Sequence, residues 1–234
     1  MKRKSAVFFV SLCAACCFAI TPARGNWFFY QNLLNNPGAE DGLASPDGMT
    51  IVFIPGWTAT GAATVVAYGT PGDFPAVTDP IPHDAGEQFF AGGPDATVST
   101  IFQAIDVPSE LWQFIDSSLG MIYIMNAYLG GFGSDADFVS IALSLKNASG
   151  DAVETNAIAP VTVADRDSLT ALLPRLVHGF VPKGTRRMEV TVVFTRVDGS
   201  YNNAYVDNVE VRFHPLDNAP GCSWGKLKAL FKNR

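Results

Sequence analysis

In the run Phe138-Val139-Ser140-Ile141-Ala142-Leu143-Ser144-Leu145, bulky apolar side chains alternate with small or polar ones without a break from Val139 on. Successive side chains of a β-strand point to opposite faces, so this period fits a strand buried on one face and does not fit a helix. The same signal recurs along the chain. Val98 to Val107 alternates, and Thr64-Val65-Val66-Ala67-Tyr68 and Gln88-Phe89-Phe90 are short apolar runs between Gly and Pro clusters. Met121 to Leu129 is nearly all apolar, as expected of a central strand; Met188 to Thr195 and Tyr205 to Phe213 close the set. Turn chemistry lies between them at Asn147-Ala148-Ser149-Gly150-Asp151, Val181-Pro182-Lys183-Gly184 and Asp198-Gly199-Ser200. Residues 165–173 fit either one helical turn or a further strand. About eight to ten strands at this spacing predict an all-β chain, an antiparallel β-sandwich or jelly roll.

The 234 residues suffice for one sizeable β domain, and the 36 glycines and prolines (21 and 15) suit many turns and few long helices. Residues 1–25 stand apart. Lys2-Arg3-Lys4 precedes an apolar and small-residue run from Ala6 to Ile20, with Ala23 and Gly25 as small residues for cleavage. That run is short for a membrane span and reads as a secretory signal peptide, which implies a secreted, extracellular or periplasmic protein. Cys16, preceded by Ala14-Ala15, loosely resembles a lipoprotein acceptor and would allow a lipid anchor, although Cys13 stands where Leu is usual. Once the signal is removed only Cys222 remains, so no intramolecular disulfide can form and stability must come from burial or a metal.

Residues 26–213 read as one β-sandwich domain with 8 Lys/Arg and 21 Asp/Glu. A body so acidic repels phosphate backbones, which argues against nucleic acid and is compatible with cations and neutral sugars. Residues 214–234 form a basic tail, with Lys226, Lys228, Lys232 and Arg234 against Asp217. There Trp224, Leu227, Leu230 and Phe231 fall near helical spacing, so the tail could contact an anionic membrane or a partner, or stay a solvated extension. The interval Pro71 to Gly86, rich in Pro, Gly and Asp, reads as a long loop over the sandwich rim.

Two distant segments carry acids at suggestive places: Asn36-Pro37-Gly38-Ala39-Glu40-Asp41-Gly42 and Tyr205-Val206-Asp207-Asn208-Val209. In a sandwich the first and last strands often lie side by side, and Glu40 and Asp207 would then face one another across a cation. Asn32-Leu33-Leu34 with Asn36-Pro37-Gly38-Ala39-Glu40, then Pro55-Gly56-Trp57, Gly120-Met121-Ile122-Tyr123 and Tyr205-Val206-Asp207-Asn208-Val209 resemble galactose-binding-domain-like jelly rolls. That family includes carbohydrate-binding modules and plant cell-wall proteins, and the resemblance spans roughly residues 30–213. It implies that Glu40 and Asp207 bind a structural Ca2+. Calcium takes six to eight hard oxygens, so carbonyls around Gly42, Gly93 or Asp95 would contribute. Without a metal, Glu40 would accept backbone N–H bonds and Asp207 would cap a turn. It also implies a buried Trp57.

A sugar site needs exposed rings beside directed hydrogen-bonding groups. Tyr68, Phe132 and Tyr201 near loops, Trp112 beside a Pro-Ser-Glu turn, and the amides of Asn202, Asn203 and Asn126 are the candidates, for a polysaccharide or other glycan. Asp135 and Asp137 form a second acidic loop that reads as a solvated turn. The three histidines, His83, His178 and His214, fall in no metal-protease pattern, and no Gly-x-Ser-x-Gly elbow or phosphate-binding loop is present. A non-catalytic binding module is therefore expected. A surface interaction protein using the tail and Cys222, and a hydrolase with an unrecognised acid pair, are the alternatives.

Overall fold

The computed structural model describes residues 29–216. The signal segment with Cys13, Cys16 and Cys17, and residues 217–234 with Cys222 and the amphipathic pattern, lie outside the described residues.

Among the described residues, ten strands and one short helix follow in the order β1 (Thr58–Thr60), β2 (Thr64–Ala67), β3 (Gln88–Pro94), β4 (Val98–Asp106), α1 (Ser109–Ile115), β5 (Met121–Gly131), β6 (Phe138–Asn147), β7 (Ala152–Ile158), β8 (Ala171–Val181), β9 (Thr185–Thr195) and β10 (Tyr201–Pro215). They form two five-stranded antiparallel sheets, β1-β4-β9-β6-β7 and β2-β3-β10-β5-β8. The all-β jelly-roll sandwich is thus observed. Residues 165–170 form turns, and the chain enters β8 at Ala171.

The sheets close over one core. In β6, Val139, Ile141, Leu143 and Leu145 are at most 1% exposed, the inward half of the strict alternation. Trp57, expected in the core, is 5% exposed; its Nε1 donates to the Asn36 carbonyl at 2.9 Å, and its ring meets Phe90 edge-on at 5.6 Å. A second, smaller apolar cluster of Val66, Phe89, Ala91, Leu172 and Tyr205 sits on the outer face of the β10 sheet. The loop between β2 and β3 covers it, packing Phe74 and Ile81 there. This strap is tied down where Leu172 donates to the Pro80 carbonyl and the Tyr205 hydroxyl to the Asp73 carbonyl.

β10 organises both regions of interest. It pairs with β3 only through Tyr201–Val206 and with β5 along Ala204–Pro215. Where β3 stops, the N-terminal segment takes its place: Leu33 donates to the Val211 carbonyl, Val209 donates to Pro37, and the Asn32 amide bridges Val209 and Val211. The register breaks twice, between Asn202 and Tyr205 and between Asp207 and Glu210, where Asn208 takes φ 48°. Such bulges re-aim side chains. Both put polar groups into the interior, for Asn202 and Asp207 are 0% exposed.

Candidate functional site

The first break borders a cleft of about 820 Å3 at the rim of the sandwich. One wall is the loop from β5 to β6, contributing Phe132, Ser134 and Asp135. The other is the loop from β9 to β10, contributing Val197, Asp198, Gly199 and Ser200. Tyr201 and Asn203 lie between them, and Asp73 of the strap joins from the side. The Phe132 and Tyr201 rings are half-buried; Tyr201 is steadied by Phe74 edge-on at 5.4 Å and by its hydroxyl, which donates to the Gly48 carbonyl at 2.9 Å. Burial raises the Tyr201 phenol, so it stays protonated. Asn203 turns its amide to Asp135 Oδ2 at 3.0 Å and accepts from Tyr205 at 2.7 Å. The floor is therefore polar and ordered, two rings line the cleft, and the carboxylates are Asp73, Asp135 and Asp198.

Asp137, expected in a solvated turn, is 2% exposed. Its Oδ1 accepts from Val197 N at 2.6 Å and Asp198 N at 3.3 Å, and its Oδ2 from Asn203 N at 2.7 Å. Burial pushes its carboxyl above the ordinary range while those N–H bonds oppose the shift. Asp137 stands immediately before β6 and is buried, whereas Ser134 and Ala136 of the same loop are exposed, so position rather than residue type separates them. Arg166, also 2% exposed, was not singled out by the sequence; it lies in a stretch whose conformation the pattern left open.

The second break builds the acidic clasp. Asp207 accepts from the Tyr68 hydroxyl at 2.8 Å and from Asn208 N at 2.7 Å. Glu40 Oε1 accepts from Glu87 N and Gln88 N, both at 3.0 Å. Asn208 donates to Asp84 Oδ1 at 3.1 Å. Burial carries the Asp207 carboxyl up to about 8; the Tyr68 and Asn208 bonds pull it down, and the Glu40 and Asp84 charges push it further up. Burial, with the Asp207 charge, likewise raises the Tyr68 phenol. Gly38 marks the convergence. A Cβ there would lie 3.0 Å from Asn208 Oδ1, 3.4 Å from Asp207 Oδ1 and 3.8 Å from Glu40 Cγ.

The sequence candidates separate accordingly. Phe132 and Tyr201 share the rim cleft. Tyr68 belongs to the clasp, its hydroxyl spent on Asp207 and its ring against Phe89 at 4.9 Å. Trp112 lies on α1, near the start of β5 and so at the opposite end of that strand from the cleft; its Nε1 donates to Val107 and Arg186 stacks 4.7 Å over its ring. Asn202 is buried against Gly92, where a Cβ would fall 2.3 Å from its Cγ, so its neighbour Asn203 faces the cleft instead. Asn126 lines a smaller groove of about 210 Å3 with Tyr128 and Arg212 on the outer sheet face.

Glu40 and Asp207 come near one another beside Gly38, and both accept backbone N–H bonds. Gly42 turns at φ 104° against Pro55, two residues past Glu40. Asp95 does not join them. It follows the far end of β3, bonding Ser200, whereas Glu40 meets the Gln88 end, roughly 20 Å away at strand rise. Among the described residues no group of three or more His, Cys, Asp or Glu is arranged to hold a metal. The Asp207 carboxylate and the Asn208 amide oxygen meet beside Gly38, with the Glu40 carboxylate turned toward Gly86 and the start of β3; all are hard oxygens of the kind calcium takes, and a calcium held there would need carbonyls or water to complete its shell.

No family model matches the sequence, and no curated protein matches it. Solved structures do. One is a cyclase from Fischerella sp. TAU in complex with 4-(1H-indol-3-yl)butan-2-one, at 12% identity and TM-score 0.50, over 79% of this chain and 98% of that one. Another is TmCBM61, a carbohydrate-binding module in complex with β-1,4-galactotriose, at 19% identity and TM-score 0.42, over 79% and 99%. A third is the enzymatically active domain of bacteriophage CBA120 tailspike protein 4, at 16% identity and TM-score 0.46, with 78% of this chain but 21% of that one covered. At such identities the likeness is one of fold.

Proposed function

We propose that the chain is a secreted, non-catalytic carbohydrate-binding module that holds a glycan in the rim cleft and a structural calcium in the Glu40–Asp207 clasp. The observation that carries the glycan reading is that Phe132 and Tyr201 line one cleft together with Asn203 and Asp135. Pyranose C–H faces stack on rings while hydroxyls require directed donors and acceptors, and this cleft supplies both. A calcium held by Glu40, Asp207 and Asn208 would neutralise the buried Asp207 charge and fasten the N-terminal segment to β10. The signal-like residues 1–25 support export.

The test is affinity electrophoresis and calorimetry against β-1,4-linked galactan, xylan and glucan, with wild type, Phe132→Ala and Tyr201→Ala. Loss of a stacking ring in a cleft costs about 1–3 kcal/mol of binding, roughly fivefold to a hundredfold. Wild type that binds no glycan, or alanine variants that bind as tightly as wild type, would refute the assignment.

A further inference from the structure

Both walls of the rim cleft are held by buried side chains that do not themselves line it. The Arg166 guanidinium lies behind the β5–β6 wall. Its Nη1 donates to the carbonyls of Gly131 at 3.0 Å, Gly133 at 2.8 Å and Leu169, and its Nη2 to that of Asp135 at 2.8 Å. Two of those four carbonyls, Gly133 and Asp135, belong to the wall that presents Phe132 and Asp135, and a third, Gly131, ends β5 where that wall begins. None of these partners is a carboxylate, so the cation is spent on orienting backbone. Burial lowers its proton affinity and the Asp135 charge partly restores it. A planar fork can gather several carbonyls at fixed angles, which an ammonium on a flexible stem does not reproduce.

Asp137 works between the walls. It ends the β5–β6 loop, and its carboxylate takes three backbone N–H groups from Val197, Asp198 and Asn203, the opposite wall and the floor. The separation of the walls is therefore fixed through one side chain. Asp135 adds a cross-tie, accepting from Asp137 N at 3.1 Å on one oxygen and from the Asn203 amide on the other.

We propose that Arg166 and Asp137 are the positioning residues of the cleft: Arg166 shapes the wall carrying Phe132 and Asp135, Asp137 sets its distance from the 197–200 wall, and ligand affinity depends on this pair more than fold stability does. The affinity part rests on the glycan reading; the wall-setting part does not. Asp137 immediately precedes β6 and Arg166 lies in the turn ahead of β8, both outside the inter-sheet core, so their removal loosens the rim rather than the sandwich. Support of this kind behind a binding surface is worth about tenfold to a hundredfold where it has been measured at metal sites.

The test uses Arg166→Lys, Arg166→Met and Asp137→Asn, with Val190→Ala as a control that weakens the core far from the rim. Hydrogen exchange is followed at residues 132–137 and 197–200 and in the strands. Binding is followed with β-1,4-galactotriose, xylohexaose and cellohexaose as probes. Exchange is expected to rise at least about tenfold in the wall amides of all three variants, with the strands unchanged. For any probe wild type retains, affinity should fall about tenfold or more, Lys failing to rescue it, while Val190→Ala at equal or greater loss of melting temperature binds normally. Exchange that rises uniformly across strands and rim, or wall amides unchanged in Arg166→Lys, would overturn the proposal. So would equal loss of binding in Val190→Ala. If wild type retains none of the probes, the glycan reading falls, and the exchange data still decide whether the pair sets the walls.

Discussion

Protons and calcium should compete for Asp207, and the competition can be read in the pH dependence of stability. The carboxyl is fully buried, burial raises it to about 8, and Tyr68, Asn208, Glu40 and Asp84 are the polar groups that bear on it. In an unfolded chain it titrates near 3.9. The folded value lies above the unfolded one, so the stability linked to this proton is complete below about 4 and is lost as pH climbs through 8. From pH 5 to pH 8 the linkage amounts to roughly 3–4 kcal/mol in metal-free protein, an upper figure because relaxation and water entry soften the cost of a buried charge. For a domain of this size that is a fall of about 10 °C in melting temperature. Calcium reverses the sign of the problem by favouring the ionised form, so it should raise the melting temperature more at pH 8 than at pH 5 and flatten the slope. The assay is a set of thermal melts from pH 5 to 8, chelator-treated and with saturating calcium, for wild type and Asp207→Asn. The difference between the two proteins isolates this carboxyl from Asp137, whose burial shifts it the same way. Identical pH slopes in chelator would refute the buried ionisation; an equal calcium shift in Asp207→Asn would refute the clasp.

Other expectations are simpler. Trp57→Phe removes the indole donor from the Asn36 carbonyl and part of a core ring, and should cost about 2–4 kcal/mol in urea titrations with binding intact. Gly130→Ala would set a Cβ 1.7 Å from the Ala171 carbonyl, forcing β5 and β8 apart; near-ultraviolet circular dichroism should show no native packing. Asp95→Ala should leave the calcium shift unchanged, since the residue sits at the wrong end of β3. Trp112→Ala should leave glycan retention unchanged, because the ring lies at the far end of β5 under Arg186.

What the sequence discloses and what it hides follow from the same physics. β4 and β6 are legible because one buried face imposes period two over many residues. β8 is not, because Pro174 and Gly179 break the pattern; they are tolerated since β8 is the outermost strand of its sheet, where a missing N–H costs no ladder bond. β7 is obscured in the same way, as a largely exposed final strand with polar residues on both faces. The aromatics of the cleft could be suspected singly as loop residues, but their meeting depends on Gly131 ending β5 beside Ala204 near the start of β10. That is a long-range pairing which local pattern does not encode. The clasp was legible because Glu40 and Asp207 each sit in a short distinctive segment, whereas Arg166 looks like any surface arginine until four carbonyls surround it. Residues that touch a ligand can be suspected by type; those that set the geometry act through backbone, and backbone partners have no signature in the sequence. A search for further determinants of this cleft should therefore begin from the carbonyls and N–H groups of its walls and ask which buried side chain satisfies each.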